Sequence, residues 1–114
     1  MAFSEIELKL IENTVGKMCQ RRSPVYLSDQ IKTTYKIINY SVEVYEQRPR
    51  WNNPDEWTST GVAKFLYIRN SRKWKLFWMR QDLKWHSYGP LAESPTLEKL
   101  VAEVDIDPHG AFFG

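Results

Sequence analysis

The chain has 114 residues, 42% of them hydrophobic and 14% aromatic, which suits one domain with its own core and excludes a disordered chain. Cys19 is its only cysteine, so no internal disulfide forms, and with only His86 and His109 beside it no zinc-ligand spacing exists. The net charge of +2 is uneven: residues 1–29 are neutral, 30–85 carry +6 and 86–114 carry −4, which implies either an anionic partner or an acidic tail that packs near a basic sheet and neutralises it.

The first element is a helix. Ser4 stands three residues before Glu7 as a capping box, with Phe3 and Leu8 set to form a hydrophobic staple across it. Leu8, Ile11, Val15 and Met18 then make one apolar stripe. Gly16 weakens its middle by about 1 kcal/mol relative to Ala. Ser23-Pro24 ends the helix, and Arg21 and Arg22 suit the negative end of its dipole. The stretch from Ser4 to Arg22 lacks the apolar centre of a signal peptide. No run of 18 apolar residues offers a membrane span, so a cytoplasmic location and no membrane partner are expected. Asn39-Tyr40-Ser41 reads as a chance glycosylation match.

After a linker over 24–29, strands are predicted from Gln30 to Ile38 and from Ser41 to Arg48, joined by a two-residue turn at Asn39-Tyr40. That register pairs Ile37 with Val42 and Tyr35 with Val44 on an apolar face. It pairs Lys36 with Glu43, Thr34 with Tyr45 and Lys32 with Gln47 on a polar one. Pro49 to Gly61 reads as a long loop with a helical turn opening at Asn53-Pro54. Further strands are expected over Val62–Arg69, Trp74–Arg80 and Lys84–Tyr88. A turn at Asn70-Ser71 sets Ala63, Phe65 and Tyr67 beside Trp78, Leu76 and Trp74 as core. The opposite face mixes Val62, Leu66, Ile68, Phe77 and Met79 with Lys64, Lys73 and Lys75. The turn at Gln81-Asp82-Leu83 leaves the face of Trp85 open. Ser94-Pro95 opens a last helix with Leu97, Leu100, Val101 and Val104 as its stripe, and Asp107-Pro108 ends it. Phe112 and Phe113 should dock the tail. The expected fold is α+β, a five-stranded antiparallel meander sheet with N-terminal and C-terminal helices packed on one face, residues 1–114 forming one domain.

Few patterns carry chemistry. Cys19 has no histidine nearby in sequence and reads as an inert core thiol. Glu46 points to the apolar face, where Arg48 or Arg50 would pair with it. Asp82-Leu83-Lys84 lacks the acidic companions of a metal nuclease, no glycine loop cradles phosphate, and no cofactor is expected. Two constellations remain. Along the sheet, Arg48, Arg50, Arg69, Arg72, Lys73, Lys75 and Lys84 alternate with Trp51, Trp74, Trp78 and Trp85, with His86 beside them. Cations and rings in alternation serve phosphates and bases, and equally arise from a sheet with one dry and one wet face. In the loop, Arg48, Arg50, Trp51, Asp55 and Trp57 would either build a small anion pocket or pin the loop to the sheet edge.

The opening Ser-Glu-Ile-Glu-Leu, the stretches Glu46-Gln-Arg48-Pro-Arg-Trp51 and Pro54-Asp-Glu-Trp57-Thr, the Trp74-to-Trp78 strand and the ending Val104-Asp-Ile-Asp-Pro108 through Phe113-Gly114 carry a resemblance. In that order, over nearly the whole chain, they resemble the bacterial family catalogued as domain of unknown function 3024. The resemblance implies a bacterial, stand-alone, cytosolic domain and supplies no activity, cofactor or catalytic residue. The sequence-level expectation is a non-catalytic binding or interaction domain, with nucleic acid or another anion as partner. The alternatives are a small enzyme with a pocket near Arg48–Trp57, and a homodimer through Leu66, Phe77 and Met79.

Overall fold

The computed structural model describes residues 3–114. Helix α1 (Glu5–Ile11) begins on the expected capping box: Ser4 Oγ accepts from Glu7 N at 3.2 Å and Glu7 Oε1 accepts from Ser4 N at 2.8 Å. A π-turn over Glu12–Gly16 follows, and α2 (Lys17–Arg21) closes the helix before Ser23-Pro24. Thr14 lies in the π-turn, its hydroxyl donating to Leu10 O at 2.7 Å. The predicted stripe holds for Ile11, Val15 and Met18, whereas Leu8 is 40% exposed and Leu10 packs on the core instead. A regular 3.6-residue count cannot cross i→i+5 bonding, which rotates α2 relative to α1. The linker holds one 3-10 turn, Val25–Leu27.

Strands β1 (Lys32–Ile38) and β2 (Ser41–Arg50) pair in the predicted register, residue for residue. Asn39 takes the turn's left-handed position, φ 53°, a region asparagine tolerates. Strand β3 (Asn53–Ile68) is the largest departure from expectation. Residues 49–61 form no loop and no helical turn. Instead β2 and β3 continue as a two-stranded arm, turning at Trp51-Asn52, with Arg48 opposite Thr58 and Pro49 opposite Trp57. A bulge of Pro54, Asp55 and Glu56 separates that pairing from Arg50 opposite Asn53. All of Asn53–Thr60 is exposed, and the arm fits a molecule of 46 × 30 × 25 Å.

A second bulge sits where the arm joins the body. Val44 opposes Ala63 and Tyr45 opposes Gly61, so Val62 has no partner and joins Ala63 in the core rather than on the outer face. At Gly61 a Cβ would stand 2.6 Å from Met79 Cε and 3.1 Å from the Trp85 ring. The missing side chain lets Met79 and Trp85 lie across the strand.

Strand β4 (Lys73–Met79) pairs with β3 as predicted, and β5 (Trp85–Ser87) pairs with β4, Met79 opposite Trp85 and Trp78 opposite His86. That register assigns Trp85 to the outer face and His86 to the helix side. The meander order β1-β2-β3-β4-β5 holds. A sixth strand, β6 (Glu93–Ser94), takes the rest of β4's edge, with Ser94 opposite Trp74. Ser94 is therefore not the last helix's cap. That helix, α3 (Leu97–Ile106), is capped at Thr96, and Ser94 Oγ accepts from Thr96 N at 3.1 Å.

The core lies between the sheet and the helices. Ile11, Val15 and Met18 from one helix and Leu97, Leu100, Val101 and Val104 from the other meet Val42, Val44, Phe65 and Leu76. Helix α2 packs against β1 and α3 against β3 and β4, so one face of the sheet is covered. The helix ends are tied together: Arg21 and Arg22 reach the Asp105 carboxylate at 3.0 and 3.1 Å, and Arg22 donates to Asp105 O at 2.6 Å. The tail folds back as expected. Asp107, left-handed at φ 50°, accepts from Phe112 N at 3.1 Å and Phe113 N at 2.8 Å. Phe112 is buried against Tyr88, ring centroids 4.8 Å apart, and the Arg22 guanidinium lies 3.5 Å from the Phe113 ring centre.

Asp107→Ala removes both acceptors and imposes a left-handed alanine. It should lower stability by about 2–3 kcal/mol, and Asp107→Asn, which tolerates that conformation and keeps one oxygen, by about 1 kcal/mol. Urea unfolding midpoints read the difference.

Candidate functional site

The face away from the helices is where rings and lysines gather. Alternation along the strands turns Lys32, Thr34 and Lys36 of β1 to this side. Tyr45 and Gln47 of β2, Lys64 of β3, Lys75, Phe77 and Met79 of β4, and Trp85 of β5 share it. Below the bulge, Trp57 and Ser59 continue the row along the arm. Three lysines lie over three rings: Lys32 Nζ is 4.5 Å from the Trp57 centroid, Lys36 4.8 Å from Tyr45 and Lys64 5.8 Å from Phe77. Trp85 meets Tyr45 edge-on at 6.3 Å. Lys36 opposes Glu43 in the register, but the Glu43 carboxylate accepts from the Tyr45 hydroxyl. Burial and the adjoining Glu43 push that phenol up to about 12.

The acidic tail does not neutralise this face. Asp105 serves the two helix arginines, Glu103 accepts from the Tyr88 hydroxyl at 2.7 Å, and Asp107 holds the tail amides. Of the tail's described acids, only Glu93 reaches a sheet lysine, Lys73, at 3.4 Å. Among the described residues, Lys32, Lys36, Lys64 and Lys75 have no carboxylate within 4.0 Å.

The sequence-derived candidates divide by position. Arg48 pairs with Glu46 at 2.9 Å and Arg50 with Glu56 at 3.1 Å, so both arm guanidiniums are engaged by carboxylates. Asp55 meets neither; its N–H donates to Asn53 Oδ1 at 3.3 Å. Trp51, at the tip, is 94% exposed, and Trp57 lies under Lys32. The five residues thus stretch along a two-stranded arm and do not enclose a pocket. Lys75 stands opposite Glu93 of β6, Lys73 bonds that glutamate, and Lys84 is exposed in the β4–β5 turn. His86 Nε2 bonds Asp82 Oδ2 at 2.8 Å. That bond and the Lys84 N–H hold the Asp82 carboxyl below its ordinary value.

Two hollows lie on the helix side. One, about 610 Å³, runs between the helix and β1 and is lined by Gly16, Cys19, Thr33 and Tyr35 among others. Burial pushes the Cys19 thiol up to about 11, so it is protonated at neutral pH. The other, about 450 Å³, lies beyond the end of the helical cover between β5 and the folded tail, and holds both histidines. Sequence reasoning missed this shared lining, since 22 residues separate His86 from His109. The one available signal was Asp107-Pro108 followed by two phenylalanines, the mark of a tail that turns back.

Among the described residues no group of three metal-ligating side chains occurs, and no helix is long and apolar enough to cross a membrane. An antiparallel sheet backed by helices on one side and lined with rings and cations on the other defines an α+β domain with one open face. The family model described as domain of unknown function DUF3024 matches residues 3–114, and the chain belongs to that family. No curated protein and no solved structure matches the chain.

Tyr88 offers a test of the local electrostatics. Its phenol is pushed from 10.0 up to about 12 by burial and by the Glu103 carboxylate it donates to. A folded-state value above the unfolded one gives stability that is full below the unfolded value and lost as pH rises through the folded one. Tyr88→Phe should therefore lower stability at pH 7 by about 1 kcal/mol, yet lose less than the wild type between pH 10 and about 12. Urea titrations at stepped pH check both.

Proposed function

We propose that the chain is a non-catalytic binding domain that takes single-stranded nucleic acid on its open sheet face. The observation that carries the reading is the set of lysine–ring pairs, Lys32 on Trp57, Lys36 on Tyr45 and Lys64 on Phe77, in a row across neighbouring strands. A base that stacks on a ring displaces the ammonium only a few ångströms, toward the phosphates on either side of that base. One unit thus serves both halves of a nucleotide. The net +6 of residues 30–85 supports a polyanionic partner. So does the engagement of the tail's acids elsewhere. The arm lengthens the row beyond the body, which suits an extended strand better than a compact ligand. The resemblance fits a cytoplasmic setting, where nucleic acid is at hand.

Short single strands of deoxythymidine should change the tryptophan emission, because Trp57 and Trp85 share the face. Affinity should fall with salt by a logarithmic slope of about −0.7 per phosphate neutralised, and Lys32→Ala and Lys64→Ala should each flatten that slope by about the same amount. Trp57→Ala should weaken binding by about tenfold, the loss of one stacked base. Unchanged emission with salt-independent affinity would end the reading. Light scattering that finds a dimer, broken by Phe77→Glu, would assign the face to a second copy of the chain instead.

A further inference from the structure

The hollow of about 450 Å³ beyond the helical cover lies on the opposite side of the sheet from the lysine–ring face and stands apart from that reading. It is built from three pieces of chain. Trp78 and Arg80 come from the end of β4, His86 to Pro90 from β5 and its following turn, and His109 to Ala111 from the tail. Each piece is fixed. His86 spends its Nε2–H on the Asp82 carboxylate, which fixes the ring and makes it part of the wall rather than a donor into the hollow. Asp107 clamps the tail through two N–H groups, and Gly110, at φ +65°, makes the reversal that presents His109. Arg80 has no carboxylate within 4.0 Å among the described residues, and its guanidinium sits 5.5 Å from the Trp78 ring centre.

The lining therefore offers a fork of guanidinium donors and the His109 imidazole, set against an apolar wall of Trp78, Tyr88 and Pro90. The carboxylates near the hollow are engaged, Asp82 by His86 and the Lys84 N–H, Glu103 by Tyr88 and Asp107 by the tail. Donors arriving from two directions, Arg80 just past β4 and His109 in the tail, suit a tetrahedral oxyanion better than a flat carboxylate, which two parallel N–H groups satisfy. The volume exceeds what an inorganic anion fills and falls within the range of small-molecule sites. We propose that this hollow binds a small phosphate monoester, Arg80 and His109 holding the phosphate and the Trp78–Tyr88–Pro90 wall receiving its organic group.

Nuclear magnetic resonance titrations with phenyl phosphate, inorganic phosphate and benzoate test this on the whole chain. Phenyl phosphate should give saturable shifts confined to residues 78–90 and 107–113, with about tenfold tighter binding than inorganic phosphate or benzoate. Arg80 and His109 are both exposed, so Arg80→Ala and His109→Ala should fold normally, and each should weaken phenyl phosphate by about tenfold. Lys64→Ala, on the other face, should bind it unchanged. No saturable shift would overturn the proposal. Equal affinity for benzoate, wild-type binding in both variants, or shifts that vanish in Lys64→Ala would do the same. A strand carrying a 5′-phosphate and its 5′-hydroxyl counterpart separate the two sources of such a group. Failure of the strand with success of phenyl phosphate leaves the site as a small-molecule pocket, and failure of both removes it.

Discussion

Two short helices can cover only one side of this sheet, and most of what distinguishes this domain follows from that limit. The covered side is conventional, with aliphatic stripes meeting valines, Phe65 and Leu76. The bare side must still present rings, because Tyr45, Phe77 and Trp85 alternate with core residues along strands whose register is fixed by burial. Lysine stems laid over those rings take part of their surface out of water while the ammonium stays wet. The basic character of residues 30–85 is thus tied to the architecture, since every outward lysine next to a ring adds positive charge that the helical layer is on the wrong side to balance.

The end of the first helix and the end of the last are joined by a compact set of polar contacts. Arg22 touches three things at once: the Asp105 carboxylate, the Asp105 carbonyl and the face of Phe113. Asp107 then gathers the tail, and Phe112 closes over Tyr88. This gives a physical account of the ending Val104-Asp-Ile-Asp-Pro108 through Phe113-Gly114. One aspartate anchors the first helix, the next caps the last one in a left-handed conformation, and the paired rings dock on what the caps have positioned.

How much of this could be read beforehand depended on burial. The register of β1 with β2 and of β3 with β4 was legible because each strand has one dry face, and a slip of one residue would have put Lys36 and Lys64 in the core. The arm was illegible for the converse reason. From Asn53 to Thr60 neither face is buried, so no alternation marks the strand, and Pro, Asn and Gly read as loop. Val62 was misassigned by a bulge that strict alternation cannot anticipate. Strand β6 is two residues held by backbone pairing, which side chains do not advertise. Of the site, the basic and tryptophan-rich character was visible. Which rings lie under which lysines was not, and the placing of His86 and His109 around one hollow required the tail's fold.

Ser23 has a role outside the domain itself. Its hydroxyl accepts from Thr33 N at 2.7 Å and donates to Thr33 O at 3.1 Å, standing in for the neighbour that an outermost strand lacks. A foreign segment approaching β1 meets one rung of the ladder already filled, with Lys32 and Lys36 on either side of it. One rung of this edge is thereby closed to edge-to-edge stacking, the first step toward fibrils, by a single hydroxyl group.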